Sequence, residues 1–149
     1  MNLEDEIKSK GFKSRYEKLE VNLIYTYNWA RDIKSKSFKD FDVTPQQYNV
    51  LRILRGSYPK PYSTSEIRDR MLDKMSDASR IVERLFAKGY LDRKSCEKDR
   101  RLVDVVINKK GLDLLQEMDK IIQARAEEFH NLSRDEVINL NDLLDKLRG

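Results

Sequence analysis

The stretch from Ser76 to Gly111 constrains the fold of this 149-residue chain more than any other. It starts with an arginine-bearing helical pattern that ends at Gly89. Strands are then predicted at about 90–94 and 102–107, and the second consists almost entirely of β-branched and aliphatic residues. The charged tip, residues 97–101, joins the strands. A helix followed by a basic β-hairpin offers one element sized for the DNA major groove and another that reaches a neighbouring groove. Nucleic-acid binding is therefore the leading hypothesis.

Positive charge is concentrated in the same part of the chain. Residues 68–110 contain 13 Lys and Arg and 8 Asp and Glu, a balance of +5, whereas the rest of the chain has 17 basic and 18 acidic residues. A phosphate-binding surface needs such an uneven distribution. Because any basic protein has basic stretches, charge alone does not decide the function.

The composition predicts one globular domain and argues against several classes of protein. With 39% apolar and 38% charged residues, the chain is long enough to bury a core without metals or disulfides. It has no apolar run near the roughly 20 residues of a membrane span, and its acidic N-terminal segment lacks the core of a secretory signal. The single cysteine, Cys96, excludes an internal disulfide framework and is typical of a reducing compartment. We therefore expect a cytoplasmic protein with no membrane association.

Four helical patterns precede the two strands. The first runs from about residue 7 to residue 38 and is apolar on more than one side. Thr44 and Ser63 have the character of N-caps for the second and third helices. The fourth helix is expected to begin near Met75 or Ser76, with these residues on its buried face: Ala78, Ile81, Val82 and Leu85.

Two further helices follow the strands. Asn108 can cap the first of them, and Ser133, three residues before Glu136, opens the second with a capping box. Residues 57–62 contain two prolines and are predicted to be a connector. The predicted fold class is therefore mainly α with a small β-hairpin.

The terminal helices predict assembly. They lie at about 1–38 and 112–149, on either side of a central unit at about 44–110, and carry more apolar residues than a monomer covers easily. Burial against their counterparts in a two-fold dimer would cover this surface and present two recognition helices to a pseudo-palindromic site. We therefore expect a homodimer.

Five short motifs, in matching order, carry a resemblance to the MarR/SlyA family of bacterial winged-helix transcription regulators. The family core reads roughly Leu-Thr-x-x-Gln-x-x-x-Leu, then a Ser/Thr-Val-Thr-Arg-Leu-Val-Asp-Arg-Leu recognition helix, Lys-Gly-Leu-Val-x-Arg, Asp-x-Arg in the wing, and Thr-x-x-Gly. The corresponding segments of this chain are 43–51, 76–85, 88–93, 99–101 and 108–111. Asn108 replaces the usual Thr, and the connector before Ser63 is longer than usual.

The resemblance covers nearly the whole chain and implies a single winged helix-turn-helix domain with long N- and C-terminal dimerisation helices. It implies a regulator, with repression the expected mode, that binds double-stranded DNA as a homodimer. A winged-helix module that binds another protein without DNA specificity is the alternative, because the fold also serves as an adaptor.

Candidate DNA contacts lie first on the predicted recognition helix. Ser76, Asp77, Ser79 and Arg80 are expected on its first turns, and Arg80 can bond bidentately to guanine. Ser76 or Asp77 has an alternative role as a helix cap. Ser63 and Ser65 lie at the start of the preceding helix, where backbone N–H groups are suited to bind a phosphate.

The remaining candidate DNA contacts concern the wing. The resemblance implies that Arg101 enters the minor groove, where A·T-rich sequence attracts a guanidinium. Lys98 and Arg100 are expected to contact phosphates. Arg84 either contacts a phosphate or pairs with Asp99 and holds the wing, and the second role is favoured.

The resemblance also implies an effector, since family members commonly bind phenolic or aromatic acids where the dimerisation helices meet the DNA-binding lobe. The alternative, that the candidate side chains only pack, is favoured. The candidates are Tyr25, Tyr27, Trp29, Arg31 and Tyr48.

Other chemistry has little support in the sequence. Some relatives sense peroxide through a cysteine near the start of the first helix, but here the one cysteine is Cys96, beside the wing tip. His130 and Cys96 make neither a catalytic triad nor a metal site. We therefore expect no enzyme activity, cofactor or metal.

Overall fold

The computed structural model describes residues 2–38, 40–95, 103–125 and 131–149, which contain seven helices and a three-stranded sheet. The mainly helical fold with a small antiparallel sheet confirms the predicted class. Within these residues no helix combines the length and the apolar character that crossing a membrane requires. The elements are α1 (Leu3–Glu6), α2 (Arg15–Ser37), α3 (Pro45–Ser57), β1 (Tyr62–Ser63), α4 (Thr64–Arg70), α5 (Ala78–Ala87), β2 (Leu91–Ser95), β3 (Val103–Ile107), α6 (Lys109–Arg125) and α7 (Arg134–Arg148).

The chain divides into two compact units, and the first is Met1–Pro45. Polar contacts join α1 to α2 in this unit. The Lys18 ammonium lies 2.6 Å from a Glu4 carboxylate oxygen, and the Tyr25 hydroxyl donates to the Glu6 carboxylate at 2.8 Å. The hydrogen bond from Lys18 holds the pKa of Glu4 below its ordinary value.

The long helix α2 is shorter than the sequence pattern predicted. It begins at Arg15 rather than near residue 7, because Gly11 has a φ of +133°, which a right-handed helix does not accommodate. Ser14 then caps the helix, and its hydroxyl accepts from the backbone N–H of Glu17 at 3.1 Å. Several large apolar side chains of α2 are exposed in the single chain: Tyr16, Leu19, Leu23, Ile24, Tyr27 and Trp29.

The second unit, Gln46–Gly149, contains the sheet, whose antiparallel strands have the order β1-β3-β2. In the β2–β3 hairpin, Leu91 pairs with Ile107 at one end. Strand β1 lies at the other edge of β3, where Tyr62 pairs with Val105. The sequence predicted a connector there. Pairing with the distant β3 gives this short segment its extended conformation, and no local pattern encodes that pairing.

The core of the second unit consists of aliphatic side chains from the helices and the sheet. Val105 and Ile107 of β3 are buried, as the alternation of a strand requires. They belong to a larger set of fully buried side chains, which includes Leu51, Leu54, Ile67, Leu85, Leu91, Leu115 and Met118. This core fixes α4 and α5 against the sheet.

Helix α6 lies very close to the base of the hairpin at Gly111. A Cβ atom at this position would be 2.3 Å from the carbonyl oxygen of Tyr90 and 2.7 Å from Cγ1 of Ile107. Both distances are far below a normal contact. Glycine is therefore required here for space, which explains the last residue of the Thr-x-x-Gly-like motif.

Helix α7 starts with the predicted capping box. The Ser133 hydroxyl accepts from the backbone N–H of Glu136 at 3.4 Å, and the Glu136 carboxylate accepts from the backbone N–H of Ser133 at 2.8 Å. No residue of α7 is buried, and its exposed large apolar side chains are Val137, Ile138, Leu140, Leu143 and Leu147.

Candidate nucleic-acid interface

The start of α4 is fixed by a complete capping box. The Ser63 hydroxyl accepts from the backbone N–H of Glu66 at 3.2 Å, while the Glu66 carboxylate accepts from the backbone N–H of Ser63 at 2.8 Å. The Glu66 carboxylate also accepts from the Ser63 hydroxyl at 2.9 Å, and its bonds from the Ser63 backbone and hydroxyl hold the pKa of Glu66 below its ordinary value. The Ser63 side chain is thus engaged within the protein, whereas Ser65 is exposed.

Helix α5 begins at Ala78, so the prediction that it begins near Met75 or Ser76 was wrong. Asp77 is the N-cap, with a non-helical backbone, and its carboxylate accepts from the backbone N–H of Arg80 at 3.1 Å. Ser76 and Asp77 therefore precede the helix instead of lying on its first turn. Of the two residues with a suggested capping role, Asp77 has it.

Asp73, which the sequence analysis did not single out, shapes the turn before α5. Its carboxylate accepts from the Ser76 hydroxyl at 2.7 Å and from the backbone N–H of Met75 at 3.0 Å. Both bonds lower the pKa of the Asp73 carboxyl, and the bond from the Ser76 hydroxyl has the larger effect. An Asp followed closely by a Ser before a helix is typical of such turns, and this is the sequence signal that would have identified Asp73.

The two faces of α5 are chemically distinct. Ala78, Val82 and Leu85 are buried, as predicted, while Ile81 is only partly buried. On the opposite side Ser79 and Arg80 are exposed on the first turn, and Arg84 is exposed one turn later. The helix therefore presents two guanidinium groups to solvent from a well-packed base.

An open depression of about 390 Å³ lies where α4, the turn and the start of α5 meet. It brings together Ser65, Ser76, Asp77 and Ser79, four of the candidates from the sequence. It also contains two cations that the sequence analysis did not assign, Arg68 and Lys74. The full lining is Thr64, Ser65, Arg68, Lys74, Met75, Ser76, Asp77, Ala78 and Ser79.

The base of the wing is well defined, while the predicted tip contacts Lys98, Asp99, Arg100 and Arg101 lie outside the described residues. So do Cys96 and His130, and the Arg84–Asp99 pair stays a prediction. At the base, the Arg93 guanidinium of β2 lies 4.3 Å from the centre of the Phe86 ring. This cation–π contact joins the hairpin to α5.

Asn108 connects the hairpin to α6, as its predicted capping role requires. Its side-chain oxygen accepts from the backbone N–H of Gly111 at 3.1 Å, and its amide donates to the carbonyl oxygen of Gly89 at 3.1 Å. The backbone N–H of Asn108 also donates to the carbonyl oxygen of Tyr90 at 3.3 Å. The end of α5, the hairpin and α6 therefore share one hydrogen-bonded junction.

Four of the candidate effector residues lie in the first unit. Tyr25 is partly buried and bonded to Glu6, whereas Tyr27, Trp29 and Arg31 are exposed. The Arg31 guanidinium lies 6.0 Å from the centre of the Tyr27 ring. Tyr27 and Arg31 thus place an exposed aromatic ring beside a cation, two groups that an aromatic carboxylate can contact.

The fifth candidate, Tyr48, belongs to the core of the second unit. Its side chain is buried, and its hydroxyl donates to the Asp119 carboxylate at 3.5 Å. Asp119 also lies 2.5 Å from the Arg55 guanidinium. Burial raises the pKa of the Tyr48 hydroxyl, so this phenol stays neutral. These contacts support a packing role for Tyr48.

Comparison with known proteins finds one family model and several solved structures that are similar to this chain. The MarR family model matches residues 41–102. The chain is 29% identical to a MarR transcription factor from Planctomyces limnophilus, covering 91% of this chain and 98% of that one with a TM-score of 0.69. It is 24% identical to BpsR of Bordetella bronchiseptica, and the match covers 93% of this chain and 98% of BpsR with a TM-score of 0.78. The DNA binding of BpsR is regulated by 6-hydroxynicotinic acid.

A third solved structure contains DNA. It is a MarR variant from E. coli in complex with operator DNA, 24% identical to this chain, with coverage of 99% of both chains and a TM-score of 0.74. The family and the similar structures are transcription factors and not enzymes. The MarR family model covers α3, β1, α4, α5 and β2, and over this segment the chain matches the MarR family of transcription regulators.

Proposed function

We propose that this regulator binds a specific pseudo-palindromic operator as a homodimer and represses transcription there. The observation that carries this proposal is the exposed first turn of α5, with Arg80 on a helix whose opposite face is buried. A recognition helix docks with its N-terminal residues against base edges, so its start must be exposed and rigidly supported. The operator complex of the E. coli MarR variant supports the same mode of docking.

The candidate residues then have different roles. Arg80 reads a guanine, worth about 1–3 kcal/mol of discrimination. Ser76 and Ser79 lie beside it as further contacts, and Ser65 contacts a phosphate. Asp77 positions the helix as its cap.

The wing and the capping serine complete the proposed interface. Arg101 enters the minor groove, and Lys98 and Arg100 contact phosphates. Arg84 pairs with Asp99 and holds the wing. Ser63 positions α4 through its capping box.

Selection of bound duplexes from a random DNA pool, followed by gel-shift titration, tests this proposal. Arg80→Ala should lose about 5- to 150-fold in affinity for the selected duplex, with little change on random DNA. Arg80→Lys is the matched control, because it keeps the charge and loses the planar fork. Equal losses on selected and random DNA would show that Arg80 contacts only phosphate.

Salt dependence separates this function from that of a protein-binding adaptor. DNA binding through several phosphates must weaken steeply between roughly 50 and 200 mM salt. An apolar adaptor contact would change little over the same range. Binding that is insensitive to salt would therefore favour the adaptor.

The homodimer is supported by the uncovered apolar surface of α7. Leu143 is 64% exposed, and four other large apolar side chains of this helix are also exposed. Leu143→Lys should convert a dimer to monomers in sedimentation experiments and abolish binding to the two-fold operator. Asn141→Lys adds the same charge at an exposed position on the opposite side of α7 and is the control. A Leu143→Lys variant that remains dimeric would exclude α7 from the interface.

Release by a small aromatic acid is the proposed means of regulation. It is supported by the exposed pair of Tyr27 and Arg31 and by the regulation of BpsR by 6-hydroxynicotinic acid. Trp29 is the single tryptophan of the chain, so its fluorescence reports on this region directly. Titration with 6-hydroxynicotinic acid should change the fluorescence and weaken DNA binding, and Arg31→Ala should reduce both effects. Unchanged fluorescence and binding would support the packing role of these aromatics.

A further inference from the structure

The turn between α4 and α5 presents a large apolar side chain to solvent beside the proposed DNA-reading helix. Met75 is 93% exposed, more than any other large apolar side chain in the part of the chain that the structure describes. Leu72, three residues earlier, is 82% exposed. Burial of so large an apolar side chain against a partner would be favourable, because it removes apolar surface from water.

The exposure of Met75 does not result from a loose chain. The backbone N–H of Met75 donates to the Asp73 carboxylate at 3.0 Å, and the Ser76 hydroxyl donates to the same carboxylate at 2.7 Å. The backbone N–H of Leu72 donates to the side-chain oxygen of Asn49 in α3 at 3.0 Å. The turn is therefore held at two points, and the Met75 side chain projects from a fixed backbone.

The surroundings of Met75 identify the kind of partner. Met75 lines the depression together with two cations, Arg68 and Lys74. Two nearby carboxylates already accept backbone hydrogen bonds: Asp73 from the N–H of Met75, and Asp77 from the N–H of Arg80. An apolar group between cations matches the major groove, where phosphates flank the base edges. Thymine is the base that presents a methyl group there.

We propose that Met75 contacts the C5-methyl group of a thymine next to the bases that α5 reads. This inference rests on the proposed DNA-binding function and adds a specificity contact to it. A methionine side chain suits the contact, because its flexible thioether adapts to a small apolar group. Met75 thus supplies sequence information through an apolar contact, beside the polar contacts of Arg80.

Replacement of thymine by uracil tests the proposal, because it removes only the methyl group. A duplex selected by the chain is synthesised with each thymine changed in turn to uracil. At one position in each half-site, uracil should weaken binding of the unmodified protein about fourfold, the factor expected for burial of one methyl group. Met75→Ala should bind the thymine duplex more weakly by a similar factor and should not distinguish uracil from thymine.

Two further variants are the controls. Met75→Leu keeps the apolar bulk and should retain most of the preference for thymine. Leu72→Ala removes an exposed apolar side chain from the same turn but outside the lining of the depression, so it should respond to uracil as the unmodified protein does. Equal melting temperatures for all the variants will show that the fold is intact.

The possible failures are distinguishable. If uracil weakens the unmodified protein and Met75→Ala equally, or weakens neither, Met75 does not contact a thymine methyl and the inference is wrong, while the DNA-binding function stands. If the random pool yields no preferred duplex, the proposed sequence-specific function fails, and this inference fails with it.

Discussion

Replacement of Gly111 by alanine tests how α6 packs against the base of the wing. The added Cβ would lie 2.3 Å from the carbonyl oxygen of Tyr90, so α6 and the hairpin must separate. Overpacking of this kind costs about 1–3 kcal/mol. The same carbonyl accepts from the backbone N–H of Asn108, and loss of that bond adds about 1 kcal/mol. Alanine gains about 1 kcal/mol in helix propensity. The net expectation is a loss of about 1–3 kcal/mol.

Gly56 provides the matched control, because it lies in α3 and a Cβ atom added there would have no neighbouring atom within 4 Å. Gly56→Ala should stabilise the protein by about 0.5–1 kcal/mol, through helix propensity and reduced freedom of the unfolded chain. The same chemical change should therefore have opposite effects at the two positions.

Thermal unfolding at one fixed protein concentration measures both variants. For a chain of this length, each 1 kcal/mol shifts the melting temperature by about 2–4 °C. Gly111→Ala should lower it by about 2–12 °C, and Gly56→Ala should raise it by about 1–4 °C. If the melting temperature of Gly111→Ala equals or exceeds that of the unmodified protein, the close approach of α6 to Tyr90 is wrong.

Two further predictions concern helix caps. Asp77→Ala should destabilise the protein by about 1 kcal/mol in thermal unfolding, whereas Asp77→Asn should keep the cap and most of the stability; equal melting of the two variants would exclude the capping role. The capping bonds lower the pKa of Glu66 and Glu136, so their contribution is present at neutral pH and is lost as pH falls below the ordinary value of 4.5. Glu66→Gln and Glu136→Gln should each flatten the acid side of a plot of melting temperature against pH, and an unchanged slope would contradict this linkage.

Much of the second unit follows from local sequence signals. The capping boxes that begin at Ser63 and Ser133 form as predicted, because each depends on two residues three positions apart. The buried and exposed faces of α5 follow from its helical period, and Arg80 is exposed as that period requires. The motifs around these positions were sufficient to indicate the family.

Local signals were less informative about where helices α2 and α5 begin. The first helical pattern continued through Gly11, but the positive φ at that residue excludes it from a helix, and Ser14 sets the true start of α2. At α5 the sequence predicted a start near Met75 or Ser76 and offered two alternative caps, Ser76 and Asp77. The bonds of Asp73 to the turn select the last of them as the cap.

The sequence by itself determined the order of the longer helices and of the two hairpin strands, and the amphipathic character of α5, because each is encoded by residues close together in the chain. Only the tertiary structure decided the pairing of β1 with β3, the lack of space at Gly111 and the anchoring of Leu72 by Asn49. Each of these contacts joins residues far apart in the sequence, so no local pattern specifies it. Packing of α4 and α5 on a common core likewise gathers Arg68, Lys74 and Met75 into one depression.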